Sequence, residues 1–195
     1  MPNDSHVLIP LLGKGLQKYN QEDSETIDPT NTVDVFDKEI WVHIKKYFNQ
    51  DSVVLDVGCG NGRFSSFISE HVKQVDAIDA FRDINPKHKA DNVSFYNKNI
   101  QEFEGKNYDV VFLFGVFYLQ ESWCSYKAFE TLVSKLSDNG VLIIIDDKKR
   151  DRDYAKSKHM SAGLYNLNEL SEINNVKIHE SFIQKNKIHK VSIIK

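Results

Sequence analysis

The stretch Val53-Val54-Leu55-Asp56-Val57-Gly58-Cys59-Gly60-Asn61-Gly62-Arg63-Phe64 decides how the chain reads. Its opening positions are mostly β-branched and apolar, which predicts a strand buried on both faces, as in the middle of a parallel sheet. Gly58, Gly60 and Gly62 then stand at alternate positions. Glycine permits a tight turn and lets a ligand approach the backbone without meeting a Cβ. The amphipathic segment that follows predicts a helix whose first free N–H groups and positive dipole end face that ligand. Strand, glycine turn and helix in this order make a site for a nucleotide-like molecule.

Spacing narrows the ligand. The dinucleotide fingerprint is Gly-x-Gly-x-x-Gly, whereas this chain has Gly-x-Gly-x-Gly with Asp56 ahead of it. The bland reading is a glycine-rich turn between any parallel strand and helix. The sharper one is that the run closely resembles the first motif of the class I S-adenosylmethionine-dependent methyltransferases. That resemblance covers about Val33 to Lys195. It implies an α/β fold: a doubly wound, seven-stranded, mostly parallel Rossmann-like sheet with an antiparallel C-terminal strand. It also implies S-adenosylmethionine as cofactor, held around Asp56, Gly58, Cys59, Gly60, Asn61 and Gly62.

Downstream, Gln74 to Asp79 predicts the second strand. An acid at the carboxyl end of that strand can accept hydrogen bonds from both ribose hydroxyls, and Asp79, followed by Ala80, takes this place. An exposed acid at a strand end is the alternative, and Asp76, on the other face, reads as structural. Val93 to Tyr96 is a short third strand leading to Asn97-Lys98-Asn99-Ile100. The resembled family often has an acid here that accepts from the adenine amino group. Asn99 departs from that pattern, although its side-chain carbonyl is still an acceptor. Ile100 is expected against the adenine face.

Tyr108 to Phe114 is continuously apolar after Asp109 and predicts a central fourth strand. By the resemblance, its carboxyl end borders the methionine half of the cofactor and the substrate. Phe114 is then a cofactor neighbour and Tyr118 a substrate neighbour, with packing beneath a loop as the equal alternative. Ala128 to Leu136 reads as helix, closed by Asp138-Asn139-Gly140 with Gly140 as a left-handed cap. Val141 to Ile145 is a fifth strand. Asn166-Leu167-Asn168-Glu169 resembles a capping box, and Val176 to Ile183 with Ile188 to Ile194 gives a hairpin signal.

Upstream, Phe36, Ile40, Ile44 and Tyr47 recur at helical spacing, beside Trp41 and Phe48, and read as core packing. Residues 1–32 form a mixed lead-in, and residues 33–195 the core of a single domain spanning 1–195. By the resemblance, Tyr19 is a candidate lid residue over the methionine carboxylate.

A length of 195 residues suits one domain with a full core. A net charge of -3 gives no strongly basic footprint for nucleic acid. No apolar run approaches the ~20 residues that span a bilayer, and the start has no signal-peptide pattern. Cys59 and Cys124 have no metal spacing and read as reduced thiols. The expectations are therefore a cytoplasmic protein, no metal, and neither nucleic acid nor membrane as partner.

The segment from Asp146 to Lys158 leaves the fifth strand beside the expected site and is dense in charge. Lys148, Lys149, Arg150, Arg152, Lys156 and Lys158 face Asp146, Asp147, Asp151 and Asp153. A solvated loop of mixed ion pairs is one reading. The other is a flexible basic edge that closes over a phosphate or carboxylate, with Lys148, Lys149 and Arg150 on substrate.

The reaction implied is displacement at a sulfonium methyl by an O or N atom of a small metabolite or sugar derivative. Such a reaction mainly requires alignment. His159 is the one histidine placed to meet substrate, but a surface histidine is the commoner explanation, and no general base is assigned. Two other readings stay open. One is a non-catalytic, cofactor-binding partner subunit. The other is a nucleic-acid or protein methyltransferase, although Phe114-Gly115-Val116-Phe117 stands where a base-flipping enzyme would often carry Asn/Asp-Pro-Pro-aromatic.

Overall fold

The computed structural model describes residues 40–115, 122–147, 170–172, 174–183 and 189–195. Seven strands are formed: β1 (Val53–Val57), β2 (Gln74–Ile78), β3 (Val93–Tyr96), β4 (Tyr108–Phe114), β5 (Leu136–Asp147), β6 (Ile178–Ile183) and β7 (His189–Ile194). They make one sheet in the order β3-β2-β1-β4-β5-β7-β6. Neighbours from β3 to β5 pair in parallel, while β7 runs antiparallel to both β5 and β6. This is the doubly wound sheet expected of the sequence. Its order reverses between β1 and β4, and in such sheets the crevice outside the carboxyl ends at that switch point receives ligand.

Both faces of the sheet are covered, which is why β1, β4 and β5 carry continuous apolar runs. The described helices include α1 (Val42–Ile44), running into a 3-10 turn over Lys45–Tyr47, α2 (Arg63–Ser69), a 3-10 turn over Pro86–His88, and α3 (Ser122–Ser134). On one face Val54, Val110, Phe112 and Ile143 pack with Ile44, Phe64 and Ile68. On the other, Leu55, Val111 and Leu142 pack with Phe129 and Leu132 of α3. Ile40, Trp41, Ile44 and Phe48 are buried, as the helical spacing predicts.

The start of β5 differs from expectation. Its helix, α3, ends at Ser134, and β5 begins at Leu136. Gly140 lies within the strand and has no positive φ, so it is not a left-handed helix cap. It is small because a Cβ there would stand 2.6 Å from the Tyr108 carbonyl oxygen of the adjoining strand. Leu136 pairs with Tyr108 and Val141 with Val110, a register shift that carries extra residues on β5. The same irregularity turns Tyr108 toward the α3 face although Val110 faces α2. There the Tyr108 hydroxyl donates to Asp76 Oδ2 at 2.6 Å, and Gln74 Nε2 donates to Asp76 Oδ1 at 2.9 Å. Burial, with the Asp76 hydrogen bond, raises the Tyr108 phenol above its ordinary range. Asp76 is thus held in a structural network. Asp146 and Asp147 end β5 and do not open the charged loop.

Candidate functional site

The glycine turn hangs from the end of β2. Gly58 N–H and Cys59 N–H both donate to the Ile78 carbonyl, at 2.8 and 3.1 Å. Gly58, Gly60 and Gly62 have φ of 70, 59 and 87°, the left-handed region that favours glycine. Gly62 N–H donates to Cys59 O at 3.0 Å, and Arg63 N–H to Asn61 Oδ1 at a long 3.4 Å. The Gly58, Cys59 and Gly62 amides are thus satisfied by β2 and by the turn itself, so these glycines contribute space and shape more than donors.

Asp79 stands one residue beyond β2, beside the turn. Its Oδ2 accepts from Gly60 N–H at 2.9 Å. Its Oδ1 accepts from Phe81 N–H at 2.8 Å and from Arg82 N–H at 2.9 Å. A carboxylate offers about four lone-pair sites, so three backbone bonds fix its orientation and leave capacity for a further donor. Ala80 is half-buried next to it, and the Phe81 ring beyond is 42% exposed.

Asp56 lies beneath the turn. It is buried, and Ser65 Oγ of α2 donates to its Oδ2 at 2.6 Å. Burial pushes its carboxyl up to about 7, the Ser65 hydrogen bond opposes that shift, and the Asp79 charge adds to it. Cys59 is also buried, and burial with the Asp56 charge raises its thiol. A thiol in that setting is inert as a nucleophile.

Around this centre, Asn99 and Ile100 follow β3. Among the described residues the Asn99 side-chain oxygen is engaged only by a long 3.4 Å bond from Gln101 N–H, and Ile100 is buried on the α3 face. At the end of β4 the Phe114 ring lies 4.7 Å from that of Phe64. Gly115 follows at φ 67°, tied to β5 by its N–H to Ile145 O at 2.7 Å, and no described residue lies within 4 Å of where its Cβ would be. The carboxyl ends of β1, β2, β3 and β4 therefore bring together Gly58 to Gly62, Asp79, Asn99, Phe114 and Gly115. Tyr19, Tyr118, Lys148, Lys149, Arg150, His159 and the capping box at residues 166–169 lie outside the described residues.

Sequence reading missed three basic residues at the turn: Arg63, Arg82 and His88. Arg63 follows the last glycine directly and Arg82 stands three positions after Asp79, and that adjacency was the available signal. Among the described residues no cluster of His, Cys, Asp and Glu is arranged to hold a metal ion.

A family model described as methyltransferase domain matches residues 38–186. No curated protein matches the sequence. Among solved structures the chain is similar to DhpI, seen in a complex with SAM and HEP, at 14% identity and a TM-score of 0.72 over 98% of this chain and 99% of that one. It is similar to the 1,6-didemethyltoxoflavin N1-methyltransferase of Burkholderia thailandensis, bound to 1,6-didemethyltoxoflavin and S-adenosylhomocysteine, at 17% identity and a TM-score of 0.68 over 94% and 85%. It is similar also to the N-methyltransferase NodS of Bradyrhizobium japonicum, at 15% identity and a TM-score of 0.61 over 86% and 97%. At these identities the likeness is one of fold.

Proposed function

The chain belongs to the methyltransferase domain family, and we propose that it methylates an oxygen or nitrogen atom of a small, anionic metabolite or sugar derivative. It is an S-adenosylmethionine-dependent methyltransferase of class I. The cofactor supplies a sulfonium methyl that is already activated. What the chain must add is alignment, which by itself is worth ~7–11 kcal/mol of the barrier.

The observation that carries the site assignment is the Asp79 carboxylate, oriented by three backbone amides at the switch point of the sheet. In our reading its remaining acceptor capacity takes a ribose hydroxyl. Ala80 adjoins the ribose, the Asn99 side chain meets the adenine edge, and Ile100 backs the ring. Gly58, Gly60, Asn61 and Gly62 bound the cofactor on one side and Phe114 on the other. Asp56 and Cys59 support the turn from below. We assign the methyl acceptor to the space over Gly115 that no described residue fills, next to Tyr118. The lead-in, with Tyr19, is assigned as a lid on a single domain.

Two features support a small acceptor. The chain and DhpI cover each other almost completely, and that structure holds SAM and HEP. The similar toxoflavin enzyme holds a small heterocycle beside S-adenosylhomocysteine. The basic residues at 148–150 support an anionic acceptor. The acidic sequence pI of 6.2 argues against a nucleic-acid substrate. No helix among the described residues is long and apolar enough to cross a membrane, and Cys59 is a free, buried thiol. We therefore assign the cytoplasm.

The test is methyl transfer from methyl-labelled S-adenosylmethionine to a panel of small carboxylates, phosphates, amines and hydroxylated sugars, with total RNA and a protein extract alongside. We expect label in the small-molecule fraction. Label confined to RNA or protein overturns the acceptor assignment. Tight cofactor binding with transfer to nothing in either fraction points to the non-catalytic subunit instead.

A further inference from the structure

We propose that Tyr108 and Lys135 are positioning residues for the base of the cofactor: they clamp the crossover between β3 and β4, residues 97–107, against the sheet, and so fix where Asn99 and Ile100 stand. This role deepens the reading of Asn99 and Ile100 as the adenine neighbours and rests on it.

The crossover has little structure of its own. Residues 97–107 form only turns and irregular backbone, with Glu102 N–H donating to Asn99 O at 3.0 Å and Asn107 entering β4 at φ 66°. A segment without a ladder of backbone bonds keeps its shape through its anchors, and the anchor here is the buried Phe103. Its ring lies 5.1 Å from that of Tyr96, the last residue of β3, and 6.4 Å from that of Tyr108, the first of β4. Its carbonyl accepts from Lys135 Nζ, which also stands 5.9 Å from the centre of its ring. Lys135 lies between the end of α3 and the start of β5. Its own carbonyl takes Tyr108 N–H at 3.0 Å. Lys135 thus grips Phe103 by side chain and Tyr108 by backbone.

Tyr108 is fixed in turn by its hydroxyl. That group donates to Asp76 Oδ2 at 2.6 Å, the length of a charge-assisted bond, and Gln74 Nε2 occupies the other carboxylate oxygen. Burial, with the Asp76 hydrogen bond, raises the phenol, so it remains a donor throughout the neutral range. A satisfied polar network of this kind rigidifies what it holds. The crossover passes directly over it, because a Cβ on Gly105 would collide with Tyr108 Oη and with the Phe103 ring. Ile100 is buried in the same apolar cluster as Phe103 and Tyr108. Release of Phe103 would therefore loosen Ile100, and with it Asn99 beside it.

The test is calorimetric titration of S-adenosylhomocysteine and of its 6-deamino analogue, which carries purine in place of adenine. The proteins are wild type, Tyr108→Phe, Lys135→Met and Asn99→Leu, with melting curves to establish that each is folded. Tyr108→Phe keeps the ring and removes the hydroxyl, while Lys135→Met keeps an apolar stem and removes the ammonium. If one of the two does not fold, the other decides. We expect the wild type to prefer S-adenosylhomocysteine, and both clamp variants to lower that preference by roughly 2- to 10-fold, the loss of most of one hydrogen bond. Affinity for the 6-deamino analogue should stay at the wild-type level. Equal losses for both ligands, or a wild-type preference kept in the clamp variants, overturn the positioning role and leave the network a purely structural one. Asn99→Leu separates this role from the adenine reading. If it alone erases the preference, the reading of Asn99 stands and the clamp falls. If it keeps the preference while the clamp variants lose it, the Asn99 side chain is not the acceptor, and the clamp stands through the crossover backbone. A wild type with no preference, or with no affinity for either ligand, overturns both.

Discussion

Two carboxylates near the turn do different work. Asp79 orients itself by accepting from Gly60, Phe81 and Arg82, so it ties the turn to the loop after β2 before any ligand arrives. Asp79→Ala should therefore lower the stability of the ligand-free protein, by about 1–3 kcal/mol where the amides are left without an acceptor. Asp79→Asn keeps one acceptor oxygen and should lose less. Urea unfolding measures both, and an unchanged Asp79→Ala midpoint would mean that the turn stands without the carboxylate. Asp56 is the opposite case. With its carboxyl pushed up to about 7, the folded protein holds a proton that the unfolded chain releases at lower pH. Stability from this group is present in acid and is lost as pH rises from the ordinary carboxylate range to about 7. Its magnitude is on the order of 4 kcal/mol. Asp56→Asn should remove that slope, and unfolding curves from pH 4.5 to 8 that run parallel for both proteins would contradict it. At this scale Asp79 was legible, because its place depends only on a strand end. The meeting of Arg63, Arg82 and His88 was not. It depends on the loop folding back through Asn85 N–H to Asn61 O at 2.9 Å, a contact that no local pattern announces.

The glycines separate into kinds at the scale of elements. Gly62 and Gly115 share a left-handed backbone, which costs an alanine ~1–2 kcal/mol. Among the described residues only Gly62 of the two is also crowded, with a built Cβ 2.8 Å from Ile84 Cγ1, whereas none comes within 4 Å of one on Gly115. Gly62→Ala should cost clearly more stability than Gly115→Ala and should displace the loop carrying Arg82 and His88. Gly115→Ala should cost only that backbone strain, ~1–2 kcal/mol, while altering turnover, since its methyl would enter the space assigned to the acceptor. Thermal unfolding together with methyl-transfer rates checks the pair. Equal destabilisation, or unaltered turnover in Gly115→Ala, would count against this division. Most strands were legible because burial on both faces leaves unbroken apolar runs, and β3 and β4 start and end where the sequence placed them. The start of β5 was misread for a physical reason. Ser137-Asp138-Asn139-Gly140 has the composition of a turn, yet pairing with β4 through a register shift absorbs it into the sheet.

For the molecule as a whole, one feature organises the rest: the sheet reverses its order between β1 and β4. The glycine turn, Asp79 and Gly115 all stand at the carboxyl ends flanking that reversal, while the two apolar faces keep the strands that carry them in register. The glycine spacing made this legible as far as family and cofactor. The acceptor was not legible, because the sequence of residues 116–121 and 148–165 shows no strand or helix period that would place a side chain. The central claim, that Asp79 holds the cofactor at this switch point, is tested most directly by calorimetric titration of S-adenosylhomocysteine into wild type and Asp79→Ala, both shown to be folded. A lost charged hydrogen bond is worth ~1.5–3 kcal/mol, so the account predicts affinity weaker by roughly one to two orders of magnitude in the variant. Equal affinities would contradict it.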